Sequence, residues 1–136
     1  MTYRILIIDD EESIRDAFQL ALGPARGYDV AAASSGVEGI ELARAERPDL
    51  VFLDLHMPGM SGVDVMCTLL AVDSTLAIYI VTAFHEEFMN ELRAARDQGL
   101  SFELARKPLD ATQIRTIARA ILGGGEVEVS EEAPNA

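Results

Sequence analysis

Residues 50–54 read Leu-Val-Phe-Leu-Asp, a run of four apolar residues that ends abruptly in an acid. Residues 5–10, Ile-Leu-Ile-Ile-Asp-Asp, repeat this pattern near the start of the chain. Short, continuous apolar runs are typical of strands that are buried on both faces of a parallel sheet. The two stretches therefore predict two inner strands, each of which delivers carboxylates at its carboxyl end.

The segments around these strands change to a helical period. In residues 14–22 the apolar side chains recur at intervals of three and four, which marks one face of a helix that Gly23-Pro24 ends. The remaining strands are predicted at 28–33, 77–81 and 102–106, and the remaining helices at 36–47, 63–70, 85–98 and 111–122. Asp110 and Gln113 have the spacing of a capping box for the last helix. This alternation predicts an α/β fold, a doubly wound (βα)5 five-stranded parallel sheet with helices on both faces.

Length and composition restrict the function classes. The 136 residues suffice for one well-cored domain, expected over residues 1–122 and followed by a Gly-rich, then acidic tail over 123–136 that is predicted to be disordered. The net charge of −12 argues against direct nucleic-acid binding, which needs clustered Lys and Arg. No stretch approaches the roughly 20 apolar residues of a membrane span, so we expect a cytoplasmic protein. Cys67 is the only cysteine, which rules out an intramolecular disulfide, and its apolar helical setting predicts a small buried residue.

Polar side chains stand where the predicted strands end. Asp9 and Asp10 follow the first strand, Asp54 the third, Thr82 the fourth and Lys107 the fifth. Because sites of open α/β sheets lie outside the carboxyl ends of the strands, we expect these five side chains to meet. Two carboxylates about 4 Å apart repel by roughly 4 kcal/mol at an effective dielectric near 20, so the cluster needs a counter-cation or raised pKa values. The oxygen-only set suits Mg²⁺ before Ca²⁺, and with the ammonium and the hydroxyl it could hold a phosphoryl group.

Each acid taken singly also has a structural interpretation. Asp9 and Asp10 could cap the first helix, favoured by its dipole, and Asp54 could simply end a strand. The joint occurrence of all five residues at strand ends favours a functional site over these separate explanations.

From residue 4 to about 122 the chain resembles the receiver domains of response regulators. The resemblance rests on residues 5–11, 53–62, 81–83 and 107–108, of which the central segment is the most specific: an acid followed four residues later by Pro, and then by Gly-x-x-Gly. It implies the CheY-like, flavodoxin-like arrangement with strand order 2-1-3-4-5. It also implies a phosphorylation-dependent signalling switch of a two-component phosphorelay. Such a domain is not a conventional enzyme, although it assists its own Mg²⁺-dependent phosphoryl transfer and autodephosphorylation.

The resemblance implies a role for each acid of the pocket. Asp54 would accept the phosphoryl group from a sensor histidine kinase or a histidine phosphotransfer protein. Asp10 would bind Mg²⁺ directly, and Asp9 would do so directly or through water. Asp54 itself and the backbone carbonyl of His56 would complete the protein ligands.

Two further residues would hold and sense the phosphoryl group. Thr82 would hydrogen-bond a phosphoryl oxygen and move inward, and the loop and helix after the fourth strand would follow. Lys107 would pair with the phosphate, and its bond to Pro108 is expected to be cis. The signal would leave through the face made by residues 85–120, toward a downstream protein target or an output domain outside this chain. The same face could also form a homodimer.

Several positions near the pocket vary from the family pattern. The family usually has an aromatic residue three positions before the lysine, where this chain has Leu104. Phe102, two residues earlier and on the same strand face, is a candidate substitute, and core packing is its alternative role. The switch candidates are therefore Thr82, Phe102 and Leu104. His56 and Phe84 would tune dephosphorylation, since a bulky ring could screen the acyl phosphate and an imidazole could assist water; alternatively, His56 lends only its backbone.

Three other function classes fit less well. A pseudo-receiver that uses the fold only for protein interaction normally lacks one or more pocket residues, and all five are present here. A haloacid-dehalogenase-like phosphatase needs a second acid two residues after its nucleophile, where this sequence has His56. A flavin site of the flavodoxin kind needs Ser, Thr and Gly in the first loop, which is acidic here.

Overall fold

The fold is an alternation of strands and helices. A computed structural model describes residues 2–23, 26–83 and 85–123. The elements are β1 (Tyr3–Ile8), α1 (Glu12–Ala21), β2 (Tyr28–Ala33), α2 (Gly36–Ala45), β3 (Leu50–Leu53), α3 (Gly62–Val72), β4 (Ala77–Thr82), a 3₁₀ turn (His85–Phe88), α4 (Met89–Asp97), β5 (Glu103–Arg106) and α5 (Ala111–Leu122). Apart from Gly123, the tail for which disorder was predicted lies outside the described residues. Within the described part of the chain, no helix combines the length and apolar character that a membrane crossing requires.

The five strands form one parallel sheet in the order β2-β1-β3-β4-β5, which confirms the predicted topology. In the register of the sheet, Ile8 lies beside Leu53, and Leu53 lies beside Ile80. The last apolar residues of β1 and β3 are thus level. Residues that follow these strands therefore emerge at one edge of the sheet.

The apolar strands are buried because helices cover both faces of the sheet. Alternate residues of a strand point to opposite faces. Ile5 and Ile7 accordingly pack in the cluster with α1 and α5, whereas Leu6 and Ile8 pack in the cluster with α2, α3 and α4. All four are at most 3% exposed, as expected for a strand without a solvent face.

The predicted capping box of the last helix is confirmed. The Gln113 backbone N–H donates to Asp110 Oδ1 at 2.8 Å, and the Asp110 backbone N–H donates to Gln113 Oε1 at 2.9 Å. At the other end, Gly123 adopts φ 72°, the left-handed conformation that glycine allows at a helix terminus.

Two elements begin later in the structure than the sequence predicts. The helix predicted over 85–98 begins as the 3₁₀ turn and becomes α-helical only at Met89, which is common at helix N-termini. The strand predicted over 102–106 begins at Glu103. The Phe102 carbonyl accepts a hydrogen bond from the Arg96 guanidinium, at 3.0 Å.

The prediction that Cys67 is a small buried residue was wrong. Its side chain is exposed on α3. The preceding residue, Met66, is fully buried. One further residue rotates a helical side chain by about 100°, which turns Cys67 away from the core.

Candidate functional site

Asp54 is the first residue after β3, and the loop that follows folds back against its backbone. The Gly62 N–H donates to the Leu55 carbonyl at 2.9 Å. A Cβ on Gly62 would lie 2.2 Å from the Asp54 carbonyl oxygen, so only glycine lets α3 begin this close to the acid. Gly59 has φ +81° and no such contact, so its requirement is torsional rather than steric. The Gly-x-x-Gly spacing therefore has two separate physical causes.

Three carboxylates converge at the carboxyl edge of the sheet. One oxygen each from Asp9, Asp10 and Asp54 lies within 4.8 Å of the other two. Asp9 and Asp54 are only 3% and 5% exposed, whereas Asp10 is exposed. A small, oxygen-only donor set of this kind fits a hard cation such as Mg²⁺, which keeps several of its own waters.

Lys107 places an ammonium inside this cluster. Its Nζ lies 2.8 Å from Asp9 Oδ2 and 3.7 Å from both Asp54 Oδ1 and Glu11 Oε1. Its backbone N–H donates to the Thr82 carbonyl at 3.1 Å, and the bond to the following proline is cis, as predicted. Burial lowers the pKa of Lys107, but the three carboxylates together raise it above its ordinary value. The side chain is therefore a permanent cation at neutral pH.

The pKa of Asp54 is raised from 3.8 to about 6. Burial is the largest cause, and the charge of Asp9 adds to it; Lys107, the Thr82 hydroxyl and the His56 backbone N–H act in the opposite direction. The ionised carboxylate is thus less stable here than in water. A cation or electrophile that bonds to this carboxylate therefore offsets the cost of its buried negative charge. Such an electrostatic environment is expected of a reactive carboxylate.

The acids open onto a cleft of about 130 Å³. The lining residues are Asp10, Glu11, Asp54, His56, Ala83 and Lys107. The His56 side chain is exposed, and its Nδ1 lies 3.3 Å from Glu87 Oε1 in the 3₁₀ turn. Phe84 lies outside the described residues, so its tuning role stays a prediction. A larger groove of about 380 Å³ between α2 and α3 contains none of these side chains.

Phe102 and Leu104 both face the core cluster under α4. Leu104 pairs with Ile80 across β4 and β5 and is half-buried. Phe102 is 3% exposed, and the Arg96 guanidinium carbon lies 4.0 Å from its ring centroid. The burial and the cation–π contact favour core packing as the role of this ring.

The sequence-based reasoning assigned no role to Glu11, although the structure places its carboxylate beside the pocket ammonium. A signal was available. Glu11 stands at the N-cap of α1, where Ser, Thr, Asp or Asn is preferred, and its side chain makes no capping hydrogen bond.

Comparison with known proteins finds a matching family model and several similar proteins. The family model of the response regulator receiver domain matches residues 5–119. The chain is 30% identical over 122 residues to the sporulation initiation phosphotransferase F of Bacillus subtilis, which covers 90% of this chain and 95% of that protein. It is 35% identical over 132 residues to the alkaline phosphatase synthesis transcriptional regulatory protein PhoP of Bacillus subtilis, which covers 93% of this chain. The chain spans only 51% of that regulator.

Solved structures show the same fold. The chemotaxis protein CheY4 of Vibrio cholerae has a TM-score of 0.76 at 22% identity, over 90% of this chain and 100% of that one. A response regulator receiver domain protein from Clostridium thermocellum has a TM-score of 0.75 at 28% identity, over 89% of this chain and 94% of that one.

Proposed function

The chain belongs to the response regulator receiver family, whose members are phosphorylation-dependent switches of two-component systems, and we propose that Asp54 is its phosphoryl acceptor. The observation that carries the proposal is the environment of this carboxylate. It is 5% exposed, has a pKa of about 6, and lies among Asp9, Asp10, Thr82 and Lys107. The donor would be the phosphohistidine of a sensor histidine kinase or a histidine phosphotransfer protein.

The transfer is an in-line displacement at phosphorus. An Asp54 carboxylate oxygen bonds to the phosphorus, the bond to the donor nitrogen breaks, and the imidazole leaves with the electron pair. Lys107 offsets the negative charge on the phosphoryl oxygens, and the Thr82 hydroxyl can donate to one of them. When bound by Asp9, Asp10, Asp54 and the His56 carbonyl, Mg²⁺ supplies further charge neutralisation. The domain would thus assist its own phosphorylation and, by admitting water, its own dephosphorylation.

Signal output would begin at Thr82, which is fully buried and hydrogen-bonds Asp54. A phosphoryl group competes for this hydroxyl, so the end of β4 and the following 3₁₀ turn would shift. Glu86 in that turn forms an ion pair with Arg106 of β5, so the shift would reach the face made by residues 85–120. A downstream protein or a second copy of the chain would bind there.

Residues near the pocket would set how long the signal lasts. His56 and Phe84 would tune access of water to the acyl phosphate. Phe102 and Leu104 remain candidates for following the movement of Thr82. Encounter with the phosphodonor proteins implies a cytoplasmic location.

The experiment that tests the proposal is incubation with acetyl phosphate and Mg²⁺, followed by intact-mass measurement. We expect a gain of one phosphoryl group that is stable in acid and labile in base, as an acyl phosphate is. The gain should disappear in Asp54→Asn and persist in the control Asp64→Asn, which alters an exposed acid on α3. Undiminished phosphorylation of Asp54→Asn, or no gain in the wild type, would contradict the proposal.

A further inference from the structure

Glu11 lacks the side-chain capping hydrogen bond found at the start of three other helices. Ser35, Ser61 and Asp110 cap α2, α3 and α5 through their side chains, because each accepts a hydrogen bond from a backbone N–H of the first turn. Glu11 holds the same position in α1 with extended backbone, but its side chain makes no such bond. Its Oε1 lies instead 3.7 Å from the Lys107 ammonium. A local preference that is broken at the edge of a site calls for a functional explanation.

A divalent cation that bonded directly to Asp9 would compete with the Lys107 ammonium for one carboxylate oxygen. Lys107 Nζ lies 2.8 Å from Asp9 Oδ2, and the other oxygen, Oδ1, already accepts the Glu11 backbone N–H at 2.9 Å. A cation that bonds to Asp9 Oδ2 would stand beside the ammonium, and two positive charges at such short range repel strongly. A cation that bonds directly to this oxygen would therefore displace the ammonium.

The places to which it can move are few. The Lys107 side chain is only 13% exposed, and within the described part of the chain it forms ion pairs with Asp9, Asp54 and Glu11. Asp9 and Asp54 belong to the group of carboxylates that could hold the metal. Glu11 does not, and its 62% exposed side chain is free to follow the ammonium.

We propose that Glu11 is a positioning residue that receives the Lys107 ammonium when a divalent cation binds Asp9. The inference rests on the proposed function, because it presumes a metal site among Asp9, Asp10 and Asp54. Glu11 draws the ammonium out of the metal position and keeps it within reach of Asp54, where the phosphoryl group arrives. Without Glu11, the remaining partners of the ammonium are metal ligands, so lysine and metal compete and the affinity for the metal falls.

Two simpler explanations make different predictions. Glu11 could bind the metal itself, directly or through water, or it could act only through its negative charge. In both cases Glu11→Gln weakens metal binding whether or not Lys107 is present. The proposal requires that the effect of Glu11 depends on the ammonium and on the reach of the carboxylate.

The test is calorimetric titration of the full chain with Mg²⁺ alone, in the absence of any phosphodonor. We expect Glu11→Gln to raise the dissociation constant for Mg²⁺ about three- to tenfold, which lies in the lower part of the range of couplings between contacting residues. The matched control is Glu12→Gln, which removes the same charge from the exposed neighbouring residue and should change it less than about twofold.

A charge-conserving variant tests whether the length of the side chain at position 11 matters. Glu11→Asp keeps the charge but retracts the carboxylate from Lys107 by one methylene. Because Asp is a preferred N-cap residue, this change supports α1 rather than weakening it. We expect its metal affinity to fall nearly as far as that of Glu11→Gln. Wild-type affinity in Glu11→Asp would mean that net charge alone matters, and would overturn the proposal.

Dependence on the ammonium is tested in a Lys107→Met background, which keeps the stem and removes the charge. There the effect of Glu11→Gln should shrink to that of Glu12→Gln, and an undiminished effect would show that Glu11 acts on the metal itself. If Lys107→Met does not fold, as judged by circular dichroism, the comparison of Glu11→Asp with wild type still tests the proposal, because an unchanged metal affinity would overturn it. A wild type that binds no Mg²⁺ would overturn both the proposed metal site and this inference. A wild type that binds Mg²⁺ without the coupling would overturn the inference alone.

Discussion

The burial of the Asp54 carboxylate should be measurable as a loss of stability. Its pKa rises from 3.8 to about 6 in the folded protein, where it is 5% exposed. Between these two values the folded protein binds more protons than the unfolded chain, so the free energy of unfolding falls as the pH rises through this range. A pKa difference of about 2.2, at about 1.4 kcal/mol per unit, corresponds to about 3 kcal/mol lost above about pH 7. Asp54→Asn removes this pH-dependent loss.

The assay is urea denaturation of the wild type and Asp54→Asn, with a chelator present, from about pH 5 to about pH 7.5. Linkage between the two pKa values gives a difference in unfolding free energy that grows by about 1.4 kcal/mol across this range, with the variant the more stable. The control Asp16→Asn, at an exposed position of α1, should show no comparable growth. Added Mg²⁺ should narrow the difference, because it binds the folded wild type. A difference that stays constant with pH, or a less stable variant at about pH 7.5, would mean that Lys107 and Thr82 already compensate the burial.

Three further substitutions distinguish effects on the pocket from effects on the stability of the fold. Gly62→Ala puts a Cβ 2.2 Å from the Asp54 carbonyl oxygen, and we expect a loss of about 1–3 kcal/mol in urea denaturation and slower phosphorylation by acetyl phosphate. Gly59→Ala has nothing within 4 Å, so it should lose only the about 1–2 kcal/mol of its positive φ and keep the phosphorylation rate; equal slowing in both variants would contradict the steric argument. Asp110→Ala removes the cap of α5 and should lower the unfolding free energy by about 1 kcal/mol at an unchanged phosphorylation rate.

The strands and their topology could be predicted from the sequence because the apolar patterns that indicate them are local and recur along the chain. Residues 5–8 and 50–53 are apolar at every position, which only a strand covered on both faces requires. Parallel strands also carry their following residues to one edge by geometry alone. The meeting of Asp9, Asp54 and Lys107 was therefore expected before any distance was known.

The exact ends of the elements and the burial of single side chains were harder to predict, because they depend on neighbours that are distant in sequence. Cys67 shares an apolar segment with Met66, and only the position of α3 on the sheet decides which of the two is buried. The sequence predicts Phe102 as the first residue of a strand. In the structure the Arg96 guanidinium donates a hydrogen bond to its carbonyl and stacks over its ring.

The sequence by itself determined the fold class, the order of the elements and the identity of the acids at the strand ends, since periodicity and motif spacing are properties of the chain. The tertiary structure decided the electrostatics of the pocket. The raised pKa of Asp54 and the shared ammonium of Lys107 arise from burial and from charges that residues far apart in the chain bring within 4.8 Å of one another. The role of Glu11 belongs to the same class, because its carboxylate acquires a partner only when the segments that follow β1 and β5 meet at the carboxyl edge of the sheet.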